Sequence, residues 1–128
     1  MQERNKYHYG LLYLIHLIID ADGVIDEGEL KGLETIIREE NMAEGIYKDF
    51  IEEIGLCTER EIYNRGIDMI STCSITEQKR AFSWLMKISG SDGEIHAKEI
   101  RFLLYSVKKA GLEWDEIMEG AKDLPELP

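Results

Sequence analysis

Two short acidic stretches hold the residues best suited to chemistry. The first is Asp22-Gly23-Val24-Ile25-Asp26-Glu27-Gly28-Glu29 and the second is Asp92-Gly93-Glu94-Ile95-His96-Ala97-Lys98-Glu99. Both read Asp-Gly-x-Ile-x-x-x-Glu. In the first, Asp20, Asp22, Asp26 and Glu29 place carboxylate oxygens within one turn region, the hard donors that Ca²⁺ or Mg²⁺ takes. The second offers Asp92, Glu94, His96 and Glu99, where an imidazole nitrogen would also admit a transition metal. A divalent cation, Ca²⁺ or Mg²⁺, is the one cofactor this chemistry suggests.

A purely structural reading accounts for the same residues. Asp22 and Asp92 end a helix and precede a glycine able to take positive φ. Ile25 and Ile95 turn back onto the core. Glu29 and Glu99 fall near the start of the next helix, where a carboxylate caps free N–H groups and meets the helix dipole. Against a calcium EF-hand loop, Asp, Gly, Ile and Glu occupy loop positions five, six, eight and twelve. The first-position ligand is missing, because Ile18 and Ile88 stand there. A standard EF-hand is therefore disfavoured, and capping and a weaker hard-cation site remain as alternatives.

Helices must position these corners. The only prolines are Pro125 and Pro128, so nothing earlier in the chain breaks a helix by that route. Seven helices are expected. The first, over about 10–20, is apolar almost all round and hence buried on most sides. The second starts at Asp26, with Leu30, Leu33 and Ile37 inward, and stops near Asn41. A third carries Ile46, Phe50 and Ile54 and ends at Gly55. Thr58 with Glu61, and Ser74 with Glu77, have capping-box spacing and open the fourth and fifth helices. The fourth buries Ile62, Met69, Ile70 and Cys73; the fifth, over about 77–89, carries Phe82, Leu85, Met86 and Ile88. A sixth runs from about His96 to Lys109 with Ile100, Leu103, Leu104 and Val107 inward, and a short seventh covers Glu113 to Ala121. Residues 123–128 should fray.

The repeat extends beyond the motif. Laying 10–42 over 80–112 keeps Ile18/Ile88, Asp22/Asp92, Gly23/Gly93, Ile25/Ile95, Glu29/Glu99 and Leu33/Leu103 identical. The expected architecture is a single all-α bundle over 1–128 with an internal pseudo-two-fold repeat, the two apolar first helices packing at its centre.

With its paired corners, the small residues Ala21 and Ser91 before each Asp, and its two related helical units, the chain resembles the TerB-like (tellurite-resistance) domain family. That resemblance covers nearly the whole chain. It implies an all-helical fold with internal pseudo-symmetry, metal binding by Asp22, Glu29, Asp92 and Glu99, and a sensing or scaffolding role without an established reaction. The second copy departs from the pattern at Ser89-Gly90-Ser91 and at His96. Tellurite resistance does not carry over, since fold does not fix function.

The net charge of −11, from 15 basic and 26 acidic residues, repels phosphate backbones and anionic membranes. Nucleic acid is not expected as a ligand, and membrane insertion is not expected either: the longest apolar run, Leu11 to Ile19, is interrupted by His16 and is short of the roughly 20 residues a span needs. Cys57 and Cys73 are too few for a disulfide framework, and with no secretory signal in the N-terminal residues a cytoplasmic location follows. His8, His16 and His96 are isolated, and His16 reads as a core histidine. Tyr7, Tyr9 and Tyr13 read as core or rim, and Trp84 as core. No catalytic residue is assigned. The expected function is a non-enzymatic interaction or sensing module with a protein partner. A purely structural or homodimerising domain is the alternative, and a metal-dependent hydrolase a more remote one.

Overall fold

The computed structural model describes residues 5–19, 27–89, 93–107, 113–125 and 127, with the side chains of 93–98 outside that set. Among the described residues there are seven helices and no strands: α1 Lys6–Ile19, α2 Glu27–Glu39, α3 Ile46–Ile54, α4 Glu59–Ser71, α5 Ile75–Ile88, α6 Gly93–Ser106 and α7 Trp114–Asp123. The protein is an all-α bundle.

α1 is the centre, as its all-round apolar sequence requires. Tyr7, Tyr9, Leu11, Leu12, Tyr13, Leu14, Ile15, Ile18 and Ile19 are all buried. Its main neighbour is α4, with α5 and α6 also against it. α5 packs most extensively on α7 and also touches α1, α2, α4 and α6. The two helices expected at the centre do meet, but each has its largest contact elsewhere.

The α1–α4 contact is close because each helix presents a glycine to the other. A Cβ on Gly10 would lie 2.9 Å from Ile70 Cδ1 and Cγ1, and one on Gly66 would lie 3.0 Å from Leu14 Cδ2 and 3.1 Å from Tyr13 Cβ. Pairing Gly10 with Ile70 and Leu14 with Gly66 makes the two helices antiparallel. Ser83 and Gly120 do the same for α5 and α7, and Ser83 Oγ donates to the Ile117 carbonyl at 3.2 Å.

Both capping boxes form. Thr58 Oγ1 accepts from Glu61 N–H while the Glu61 carboxylate accepts from Thr58 N–H, and Ser74 and Glu77 repeat the arrangement. Asn41 stops α2 with φ of 53°, a left-handed conformation that asparagine tolerates.

Several expected details differ. α1 starts at Lys6 rather than near Gly10, because Asn5 Oδ1 accepts from His8 N–H and caps an earlier turn. α2 buries Gly32, Leu33, Thr35 and Ile36, whereas Leu30 is exposed and Ile37 half-buried. The buried stripe is rotated so that Gly32 faces Ile88 of α5. α4 adds Gly66 and Ile67 to its buried face, while Met69 and Cys73 are half-buried. α6 begins at Gly93, about one turn before His96, and that changes the reading of Glu99.

The glycine contacts predict opposite outcomes for one substitution. Gly10→Ala must displace fully buried Ile70 and should destabilise by about 1–3 kcal/mol, outweighing alanine's gain of up to ~1 kcal/mol in helix propensity. At Gly32 a Cβ meets Ile88 Cγ1 at 3.6 Å, an ordinary contact, so Gly32→Ala should be neutral or stabilising. Urea unfolding of both variants checks the pair; equal effects would refute the close crossing.

Candidate interaction groove and the acidic corners

An open groove of about 340 Å³ lies where α1 ends against α4 and α6, lined by Leu17, Ile18, Glu59, Tyr63, Glu99, Phe102 and Leu103. Its position follows from the antiparallel α1–α4 register. The pairing that sets Leu14 on Gly66 brings Leu17 beside Tyr63 one turn further along. There α4 has a large aromatic in place of glycine.

α6 closes the other wall. Tyr63 and Phe102 stack with ring centroids 5.8 Å apart and planes 28° from parallel. The Tyr63 hydroxyl hydrogen-bonds Ser106 Oγ, which donates to the Phe102 carbonyl at 2.9 Å. The wall is therefore held by polar contacts while its apolar faces stay open. Phe102 is 61% exposed and Tyr105, one turn along α6, is 80% exposed. Aromatic rings displayed on a fixed helix are the usual anchors of a protein interface. Glu59 and Glu99 stand on α4 and α6 one turn before Tyr63 and Phe102 and put negative charge on the rim.

Of the sequence-predicted ligands, Asp20, Asp22, Asp26 and Asp92 lie outside the described residues, as do the side chains of Glu94 and His96. Glu29 is half-buried in the first turn of α2, where capping and dipole interaction are available. Glu99 is not equivalent. With α6 starting at Gly93, Glu99 is in the second turn, past the N–H groups a cap would satisfy, and it lines the groove instead. The helix-capping account therefore fits the first shared glutamate and not the second. Among the described residues, no group of three His, Cys, Asp or Glu side chains is arranged to hold a metal.

A second polar cluster was not anticipated from sequence. Glu40, just past α2, has a side chain only 7% exposed. It accepts from Trp84 Nε1 at 2.5 Å and from Arg80 Nε, both on α5. The Tyr7 hydroxyl is buried beside them without a hydrogen bond of ordinary geometry. Burial, reinforced by the Glu40 charge, pushes its ionisation far above the usual tyrosine range. His8 adjoins the same cluster. Burial lowers its pKa below 6.5, against the opposing pull of Glu40 and Glu77. This is the local chemistry of a structural tie: the Arg80 guanidinium and the Trp84 N–H both donate to the Glu40 carboxylate.

Trp84 and the three N-terminal tyrosines are core, and half-buried His16 lies edge-on to Phe50 at 6.0 Å. Cys57 and Cys73 are free, and burial raises the Cys73 thiol pKa, so it is less of a thiolate than an exposed cysteine. Among the described residues, no helix is long and apolar enough to cross a membrane.

Compared with known proteins, the chain matches no family model, no curated sequence and no solved structure.

Two outcomes follow. Glu40→Ala leaves the buried Trp84 N–H unpaired and should cost about 1–3 kcal/mol in urea unfolding, with helix content unchanged. His8 has a folded pKa below its unfolded value, so the unfolded state takes up the proton first. The stability His8 contributes is complete above about pH 6.5 and is lost as pH falls through the folded pKa. His8→Gln should flatten the melting-temperature profile between about pH 7 and pH 5; an unchanged profile would assign that slope to other groups.

Proposed function

We propose that this protein is a non-enzymatic interaction module of the TerB-like type, which engages a protein partner through the α1–α4–α6 groove and is tuned by a divalent cation at its acidic corners. The observation that carries the reading is the exposed aromatic surface of α6: Phe102 lines the groove, Tyr105 stands one turn along the helix, and Glu59 and Glu99 are among the lining residues.

Glu99 connects the groove to the cation chemistry. It is the last carboxylate of the second corner, and it lines the groove rather than capping α6. Ile18, on the groove floor, precedes Asp20 of the first corner by two residues in sequence. The first corner therefore follows the α1 end that lines the groove, and the last residue of the second corner lines it from α6. Asp20, Asp22, Asp26 and Glu29 would hold a cation at the first corner, and Asp92, Glu94, His96 and Glu99 at the second. Their oxygen-rich donor sets suit Ca²⁺ or Mg²⁺. Such an ion would neutralise clustered carboxylates and change the charge a partner meets at the rim.

Support for a non-catalytic role comes from the described lining. It offers apolar surface and two glutamates, the materials of recognition, whereas hydrolysis needs convergent acid, base and electrophile. The same acidic surface suits life in aqueous solution, and a cytoplasmic site agrees with two unpaired thiols.

The cation part is tested by melting the EDTA-stripped protein with and without millimolar Ca²⁺, Mg²⁺, Mn²⁺ or Zn²⁺ at matched ionic strength. A cation that binds only the folded state raises its stability. The expected result is a rise of several degrees for one cation, lost in Asp22→Asn/Glu29→Gln and reduced in Glu99→Gln, with all variants folded without metal. Equal melting temperatures for every cation would leave the corners as turn-forming elements.

A further inference from the structure

We infer that the segment after α7, from Leu124 to Leu127, is a releasable strap. It docks Leu127 where Gly32 of α2 meets Ile88 of α5, and its docking or release sets how firmly α2 is held to the bundle. The inference goes beyond the groove and uses none of its residues.

The strap runs from α7 past the last residue of α5 to α2. α7 ends at Asp123, and Leu124 leaves it in an extended conformation with φ of −81° and ψ of 153°. The Leu124 side chain is buried, so the segment departs from an anchored point. Three residues on, Leu127 is half-buried against the core. A Cβ placed on Gly32 would lie 3.7 Å from Leu127 Cδ1 and 3.6 Å from Ile88 Cγ1. Leu127 and Ile88 therefore converge on the bare backbone of α2 at one point.

Side-chain packing is what holds the strap. Its last backbone hydrogen bond among the described residues runs from Leu124 N–H to the Ala121 carbonyl at 3.3 Å, and none involves Leu127. Pro125 has no N–H to donate and is exposed. One half-buried leucine without a hydrogen bond is a modest hold. Few buried contacts and little backbone bonding mark the segments that open while the rest of a protein stays folded.

α2 is the element that release would loosen. Before Gly32, its residues Glu27, Gly28, Leu30 and Lys31 are exposed and Glu29 is half-buried, so Gly32 is the first point at which the helix is buried. The far end is fastened separately, where Glu40 accepts from Arg80 and Trp84. Release therefore frees the first half of α2 and leaves the Glu40 end tied. Glu29 lies in that half, so the strap would also tune a cation at the first corner. That consequence rests on the cation reading; the strap itself does not.

The test is native-state hydrogen exchange of the whole chain, free of metal, followed by NMR across sub-denaturing urea. Exchange through a local opening depends weakly on urea because little surface is exposed, whereas exchange through global unfolding depends on it steeply. The amides of Leu33 to Ile36 should show the weak dependence and those in the middle of α4 the steep one. Leu127→Ala should speed the α2 amides by roughly fivefold, the equivalent of losing a half-buried leucine, with their weak urea dependence kept. Leu56→Ala, at a side chain 88% exposed, should leave them unchanged. Equally steep urea dependence in α2 and α4 would overturn the inference, because α2 would then open only with the whole fold. Unchanged α2 exchange in Leu127→Ala would overturn it as well, and so would loss of the cooperative fold in that variant, which would make the strap part of the core. The cation melts read the corners and this experiment reads α2 without metal, so one can fail while the other stands.

Discussion

The close antiparallel crossing of α1 and α4 is the contact on which the rest of the bundle depends. α1 is apolar on nearly every face and has to be surrounded, yet a helix ringed by large side chains cannot be approached closely from all sides. Gly10 and Gly66 solve this by letting each backbone receive the other's Ile70 or Leu14 and Tyr13. Close approach brings more side-chain atoms into contact, and dispersion and apolar burial both increase. With one side of α1 occupied at short range by α4, α5 and α6 are left to cover the others, and α7 and α2 pack behind them on α5.

The groove is a consequence of the same register. Glycine lets the helices touch at Gly66, and Tyr63 one turn away lines the groove. Stacking on Phe102 and the hydrogen bond to Ser106 then fix Tyr63 as a wall rather than letting it fold inward. Rigid aromatic surface of this kind loses little conformational freedom on binding, which is why such residues carry so much of an interface's energy. Glu59 and Glu99 line the groove beside it.

At the opposite end of α2 the structure makes a different choice. Glu40 takes its charge out of water, which costs free energy unless its oxygens are fully used. Arg80 and the Trp84 indole both donate to its Oε1, and Arg80 also lies over the Trp84 ring at 5.9 Å. The result ties the end of α2 to α5 with a geometry an apolar contact would not impose. A second cation–π pair, Arg101 over Trp114 at 4.5 Å, joins α6 to α7 in a similar way.

Local order was legible in the sequence because its signals are local. The capping boxes at Thr58 and Ser74, the left-handed stop at Asn41, and the inward faces of α3 and α6 depend on residues within a turn or two of each other, and the buried state of α1 follows from its composition. Partnership was not legible. Nothing in the pattern of Leu30, Leu33 and Ile37 says that α2 would turn its Gly32 face to α5, because that depends on which neighbour comes closest. Nothing within a turn of Glu40 signals its contacts with Trp84 and Arg80, which come from α5, some 40 residues away in the chain. The shared spacing of Glu29 from Asp22 and of Glu99 from Asp92 left capping and cation binding open for both glutamates alike. The sequence alone determined an acidic, helical chain with a repeated corner; tertiary structure decided that its second shared glutamate borders a groove. Helix propensity and capping act over a few residues, whereas a groove exists only between helices brought together from distant parts of the chain.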